Sequence, residues 1–344
     1  VRRLRAAGAL IAGRTTMTEF AYSGLGLNPH YGTPLNPYDR GNARIPGGSS
    51  SGAAISVTDG MALAAIGSDT GGSLRIPAAL CGLVGFKPTQ GRMPMDGVFP
   101  LSISLDTIGP IARSVACCAR VDAVLAGEGQ RTLRPRDPTQ LRLGVLDRYV
   151  VDGLDDTVAR AYLAVLNSLD RAGADLVRID AAPLDRIASI NSSGGFAAAE
   201  SFAMLGADLR DRPTMFDPRV ASRIAKGADM TAGDYIHILK ERQRLIAEMS
   251  ALLADVDALI CPTVPRIAPR IASLDEDTVY DKTNLLMLRN PSVASLLDRP
   301  AISLPCHAPD TAPVGIMLIG HTGRDHSLLD LAAGIEEHLT ATLV

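Results

Sequence analysis

From about residue 140 onward, apolar positions recur with two periods. Leu141–Leu146 is a short, mostly apolar run and predicts a buried strand. Asp156–Ala172 follows, with Val158, Ala161, Tyr162, Val165, Leu166 and Leu169 three or four positions apart, which is one face of a helix. Leu176–Ile179 predicts another strand. Glu241–Leu253 predicts a helix running into a strand at Ala258–Cys261, and Val314–Ile319 a strand followed by a helix at His326–Leu339. Strands alternating with helices predict a layered α/β fold with a largely buried sheet. The stretch 181–235 mixes Gly, Asp, Met and Pro with weaker periodicity, and is expected to carry helices covering a site.

The first half has a different texture. Leu4 and Ala7 lie at helical spacing, Gly8 can close that turn, and Ala9–Ala12 then predicts a short buried strand. The prolines and glycine of Asn28–Pro37 exclude helix. From 46 to 90 glycine and serine are dense, with a helix-length run at Ser50–Thr58 and strand-length runs at Met61–Gly67 and Leu83–Phe86.

Composition narrows the classes. With 344 residues, 47% hydrophobic and 21% charged, the chain is ordinary globular material. Length alone suggests about two domains, although large α/β folds run longer as one unit. A net charge of −3 without a Lys/Arg block argues against nucleic acid, and 4% aromatics without tryptophan argues against a base-stacking platform. No run reaches the roughly 18 apolar residues of a membrane span, so no membrane association is expected. The basic start Val1–Arg5 leads into an apolar stretch, as a signal peptide would, but helical spacing is the better reading. Starting with Val rather than Met suggests a fragment, a processed chain or an unobserved leading segment. Cys81, Cys117, Cys118, Cys261 and Cys306 are odd in number and irregularly spaced, which fits a reduced, cytoplasmic setting. No histidine sits in HExxH or beside a cysteine pair, so neither metal nor cofactor is expected.

The chemistry concentrates in Pro46-Gly47-Gly48-Ser49-Ser50-Ser51-Gly52 and Gly67-Ser68-Asp69-Thr70-Gly71-Gly72-Ser73. A helix-length and a strand-length run separate Ser49 from Ser73, 24 positions on, and this unit can return the chain to its start. Acyl transfer needs a hydroxyl nucleophile, a base and donors for the developing oxyanion. Ser73 follows a strand and two glycines, whose missing Cβ atoms let backbone amides approach a substrate oxygen. The amides of Thr70, Gly71, Gly72 and Ser73 are the candidate oxyanion hole, each such donor being worth about 3 kcal/mol. A helix starting near Ser73 would add its dipole. Three other readings compete. Gly-Gly-Ser runs are usually plain loops. A phosphate cradle lacks its lysine, and Gly24-Leu25-Gly26 lacks the third glycine of a dinucleotide site. Gly48-Ser49-Ser50-Ser51-Gly52 satisfies the GxSxG elbow of α/β-hydrolases around Ser50, with Asp325 and His326 as conceivable partners, but no buried strand precedes it.

Pro46–Thr89 closely resembles the signature of the amidase signature family, through GGSSSGAA, GSDTGGSLRIPAALCG and LVGFKPT. Weaker resemblance covers AGALIAGRTTMTEFAYSGLGLNPHYGTPLNP, DALICPTVP and RPAISLPC, so nearly the whole chain is included. The resemblance implies one amidase signature domain over 1–344, with 46–89 as its core and an N-terminal segment missing, built on a central mixed β-sheet covered by helices on both faces. It implies hydrolysis of a carboxamide to acid and ammonia or amine through an acyl-Ser73 intermediate. Ser49, after a cis peptide bond from Gly48, would relay the proton from Ser73 to a neutral lysine amine. Ser50 would be a local hydrogen-bonding and capping residue, and Asp69 and Arg75 an ion pair holding the turn. The implied lysine lies upstream of Val1. Lys87, Lys226, Lys240 and Lys282 do not match it, Lys87 is read as structural, and Arg14 stays protonated and cannot be a base. A chain starting at Val1 is therefore expected to be weak or inactive. The implied partner is a small-molecule amide, with room for a homodimer. Two relatives of this reading are the glutaminase component of a tRNA-dependent amidotransferase and a non-catalytic member lacking the lysine. The loop Phe20–Asn28 resembles stand-alone amidases more, and the acyl pocket is expected to draw on residues 20–30 and 181–235.

Overall fold

The computed structural model describes residues 1–342. Its strands are β1 (Ala64–Asp69), β2 (Val84–Lys87), β3 (Thr107–Ala112), β4 (Arg142–Leu146), β5 (Asp175–Ile179), β6 (Ala258–Pro262), β7 (Ala301–Pro305) and β8 (Gly315–Ile319). They form one mixed sheet in the order β1-β3-β2-β7-β8-β6-β4-β5. β4 runs parallel to β5 and β6, and the remaining pairs are antiparallel.

The helices are α1 (Arg2–Ala6), α2 (Ser51–Thr58), α3 (Arg75–Leu80), α4 (Val115–Ala126), α5 (Asp156–Arg171), α6 (Arg186–Ile190), α7 (Gly195–Asp211), α8 (Pro218–Ala225), α9 (Ala232–Leu252), α10 (Asp277–Leu296) and α11 (Asp325–Thr342). Because side chains alternate across a strand, the central strands feed two cores. Ile260, Ile302, Ile316 and Leu318 pack with Val158 and Val165 of α5 and Leu328 and Ile335 of α11. Leu259, Cys261, Met317 and Ile319 point the other way, to Leu245 and Met249 of α9 and Val293 of α10. Each fully buried aliphatic side chain contributes roughly 1.5–3 kcal/mol. The α/β sheet with helices on both faces is the architecture expected above.

Some boundaries differ. Ala9–Ala12 is not a strand: no described strand pairs with it, and Leu10 is 97% exposed. An apolar run becomes a strand only where a partner takes its backbone groups. The strand expected at Met61–Gly67 starts at Ala64, where pairing with β3 begins, leaving Met61 and Leu63 exposed. α9 starts nine residues before Glu241, because Thr231 and Asp234 form a capping box there. β3, α4 and α10 stand where no element was singled out.

The end of the sheet at β1–β2 carries glycines where the helices lie closest. A Cβ at Gly67 would lie 2.3 Å from Ser50 Oγ, and one at Gly85 2.6 Å from the Leu74 carbonyl oxygen. These glycines let α2 and α3, with the serine turns at their N-termini, lie directly on the strands. The stretch 181–235 carries α6, α7 and α8, and Leu205, Phe216, Val220 and Ile224 form a small core against which Phe20 and Tyr22 pack.

Candidate active site

The two serine turns meet. The Ser50 amide donates to the Ser73 carbonyl oxygen at 3.3 Å. The Gly48–Ser49 peptide is cis. Around it, the Gly48 amide donates to Gly24 O at 2.8 Å and the Thr18 amide to Ser49 O at 3.1 Å, so the segment 18–24 fastens this turn from outside. A Cβ at Gly48 would come within 2.5 Å of the Gly26 nitrogen, which makes glycine necessary for that approach. Ser49 and Ser73 are both buried, and Ser49 Oγ has no hydrogen-bond partner among the described residues.

The Ser73 turn is held from below. Asp69, at the end of β1, accepts from the Gly72 amide at 2.7 Å and the Leu74 amide at 3.1 Å. Arg75 grips the same carboxylate with Nε at 3.0 Å and Nη2 at 2.8 Å, and also donates to Pro291 O at 2.7 Å and to Ser295 Oγ at 3.2 Å. Both charges are fully buried. Burial pushes the Asp69 carboxyl up, but the Arg75 guanidinium beside it overrides this and holds it below its usual value. Gly72 has φ +135°, and a Cβ there would lie 2.5 Å from Pro291 Cβ. The Gly72 amide is thus spoken for by Asp69, whereas the amides of Thr70, Gly71 and Ser73 carry no such bond among the described residues.

Ser50 stands at the N-cap of α2 but makes no capping bond; its hydroxyl donates instead to Ser68 O at 3.4 Å. The elbow arrangement around Ser50 does not assemble. Asp325 accepts from the Thr89 hydroxyl at 2.7 Å, and His326 pairs with Glu128 at 3.0 Å. Lys87 is buried, with Nζ donating to Pro88 O at 2.9 Å and Arg299 O at 3.0 Å; burial, aided by Arg75, pulls its amine down to about 8. Lys226, Lys240 and Lys282 are exposed.

Two groups of site residues escaped sequence reasoning. Asp106 accepts from Thr70 Oγ1 at 2.5 Å and from the amides of Leu101 and Ser102 at 2.8 and 3.0 Å, tying the 99–106 loop to the Ser73 turn. On α10, Tyr280, Asn284, Leu288 and Ser292 fall four apart on one stripe. Tyr280 OH donates to Ser23 Oγ at 2.7 Å, Asn284 Oδ1 accepts from the Gly24 amide at 2.8 Å, and Ser292 Oγ donates to Gly71 O at 3.4 Å. Because α10 is rich in polar residues throughout, Tyr280, Asn284 and Ser292 did not stand out in the sequence.

The geometry is that of two serine turns meeting over a glycine-bearing sheet end, and known proteins resemble the chain along nearly its whole length. The Amidase family model matches residues 1–329. The 2-amino-5-chloromuconic acid deaminase of Comamonas testosteroni is 37% identical over 98% of this chain and 73% of its own length. A glutamyl-tRNA(Gln) amidotransferase component from Methanospirillum hungatei is 32% identical over 98% of this chain and 84% of its own. A crystal structure of an amidase superposes with a TM-score of 0.89 at 33% identity, covering 100% of this chain and 77% of that one. The chain belongs to the amidase family. Family membership supports amide hydrolysis as its class of activity. No described helix is long and apolar enough to cross a membrane.

Proposed function

We propose that this protein hydrolyses a small-molecule carboxamide through an acyl-Ser73 intermediate. The observation that carries the reading is the meeting of the two serine turns, with Ser49 Oγ buried and without a hydrogen-bond partner among the described residues. A buried hydroxyl without a partner costs about 1–3 kcal/mol, and a base donating to or accepting from it would remove that cost. In the proposed cycle Ser73 attacks the amide carbon and its proton passes through Ser49 to a neutral lysine amine supplied from upstream of Val1. The amides of Thr70, Gly71 and Ser73 receive the developing oxyanion. The Gly72 amide, already donating to Asp69, shapes the turn instead. The lysine returns the proton to the leaving ammonia or amine, and water then releases the acid.

The test compares hydrolysis of a simple aryl amide by the chain beginning at Val1 and by a form extended upstream. Weak turnover by the first and robust turnover by the second is expected, with Ser73→Ala abolishing it and Ser50→Ala sparing it. Full activity in the short chain would overturn the lysine step, and activity surviving Ser73→Ala the nucleophile. The second reading, the glutaminase component of an amidotransferase, is favoured by the 32% identity to the Methanospirillum hungatei protein. It predicts that glutamine is the preferred amide and that activity needs a co-purifying partner.

A further inference from the structure

Glu200 lies on α7 with only 9% exposure, and the proposed cycle gives it no task. A glutamate is almost never buried unless its charge is satisfied. Its Oε2 accepts from Ser102 Oγ at 2.7 Å and from the Ser104 amide at 3.0 Å, and its Oε1 accepts from the Tyr235 hydroxyl at 2.7 Å. Tyr235, on α9, stands edge-on to the Phe196 ring at 5.9 Å, and Arg242 of the same helix donates to Ser104 O at 3.0 Å. Two helices therefore hold one short loop, and that loop touches the Ser73 turn.

Ser102 is where the two sides join, and it is fully buried. Its hydroxyl goes to Glu200, its amide donates to Asp106 Oδ2 at 3.0 Å, and its carbonyl oxygen accepts from the Asp106 amide at 2.8 Å. Asp106 Oδ1 in turn accepts from Thr70 Oγ1 at 2.5 Å. The side-chain links end on carboxylate oxygens, whose bonds are short and strong. The Thr70 hydroxyl is thereby occupied, while its backbone amide has no acceptor among the described residues.

We infer that Glu200 is a positioning residue for acyl transfer, acting through Ser102 and Asp106 to set the Thr70 amide of the oxyanion hole. This rests on the hydrolase reading. A misplacement of about 1 Å transmitted from a distant residue can cost about a hundredfold in rate. A glutamate that merely fastened the loop to α7 would change stability and the fraction of folded protein, but not the rate at each folded site.

The experiment is inactivation of the natural full-length protein by a serine-reactive fluorophosphonate, with the labelled residue mapped and rates expressed per labelled site. Glu200→Leu is expected to lower the maximal rate by about ten- to hundredfold and to leave the half-saturating concentration unchanged. Glu200→Gln should recover most of the rate. Its oxygen keeps Ser102 and Ser104 while its NH₂ donates to the Tyr235 oxygen, whose hydroxyl turns to Ser104 Oγ, 3.2 Å away. Thr70→Val keeps the amide but cuts the last link. Combined with Glu200→Leu it should be no slower than the slower single variant, because residues in one network are not additive. Should Glu200→Leu fail to fold, Ser102→Ala removes only the hydroxyl and should slow the rate several-fold. An unchanged rate per site in the Leu or Ala variant, a change confined to half-saturation, glutamine as damaging as leucine, or fully additive losses would overturn the inference while labelling of Ser73 keeps the hydrolase reading. Labelling that bypasses Ser73 in the unsubstituted protein rejects the hydrolase reading itself, and this inference with it.

Discussion

Replacing Arg75 by Met tests the support beneath the Ser73 turn. The substitution keeps an unbranched apolar stem and removes the guanidinium with its charge and its hydrogen bonds. Asp69 would retain the Gly72 and Leu74 amides but lose both guanidinium bonds, inside a site with no exposure. Breaking a buried pair on one side costs about 3–5 kcal/mol. Unfolding entropy of about 2.1 cal/mol/K per residue over 344 residues is about 0.7 kcal/mol/K, so the melting midpoint should fall by about 4–7 °C. The pH dependence gives the argument its sign. In the native chain Arg75 keeps the Asp69 carboxyl below its usual value against the pull of burial, so its stabilisation is present above the unfolded pKa of about 3.9 and is lost as pH falls through the lower folded value. In Arg75→Met burial acts without that counterweight, the carboxyl is raised, and mild acid protonates it. The deficit in midpoint, measured by scanning calorimetry, should therefore be smaller at pH 5 than at pH 7. An equal deficit at both, or one under about 1 °C at pH 7, would refute the account of the pair as charged and mutually dependent.

Gly72→Ala should destabilise the chain by more than about 2 kcal/mol, because φ is +135° and the new methyl meets Pro291 at 2.5 Å; denaturant unfolding reads this directly. Asp106→Asn keeps an oxygen for the Leu101 and Ser102 amides or for Thr70 Oγ1 but not for both sides, turns an NH₂ toward the other, and should cost about 1–3 kcal/mol. If Asp106 positions the oxyanion loop, kcat should fall while KM holds. Lys87 has its amine lowered from 10.5 to about 8 by burial. Its charged form is disfavoured in the fold, so native stability should rise as pH climbs from about 8 toward 10.5. That rise should be absent in Lys87→Met, as melts across this range would show.

The sheet was legible where burial on both faces turns a strand into an apolar run, as at Leu141–Leu146 and Val314–Ile319. It was illegible where local rules point elsewhere. β3 contains Gly109 and Pro110, which argue against a strand taken alone. Here Gly109 is required instead, since a Cβ would meet Phe86 O at 2.1 Å. α10 carries Pro291 in its interior, and that proline is what packs against Gly72. The same division holds at the site. The serine turns could be paired from their spacing, because one local unit, α2 and β1, returns the chain to its start. Of their supports, the local pair Asp69–Arg75 was legible, six residues apart, but the distant ones were not, because Asp106 reaches Thr70 across 36 residues and Asn284 reaches Gly24 across 260. The segments 20–30 and 181–235, each expected from its sequence to line an acyl pocket, supply Phe20 and Phe216 to one ring stack. The proposed chemistry lies in short, readable turns. Their distant supports are contacts between remote segments, and for that reason they emerge only from the fold.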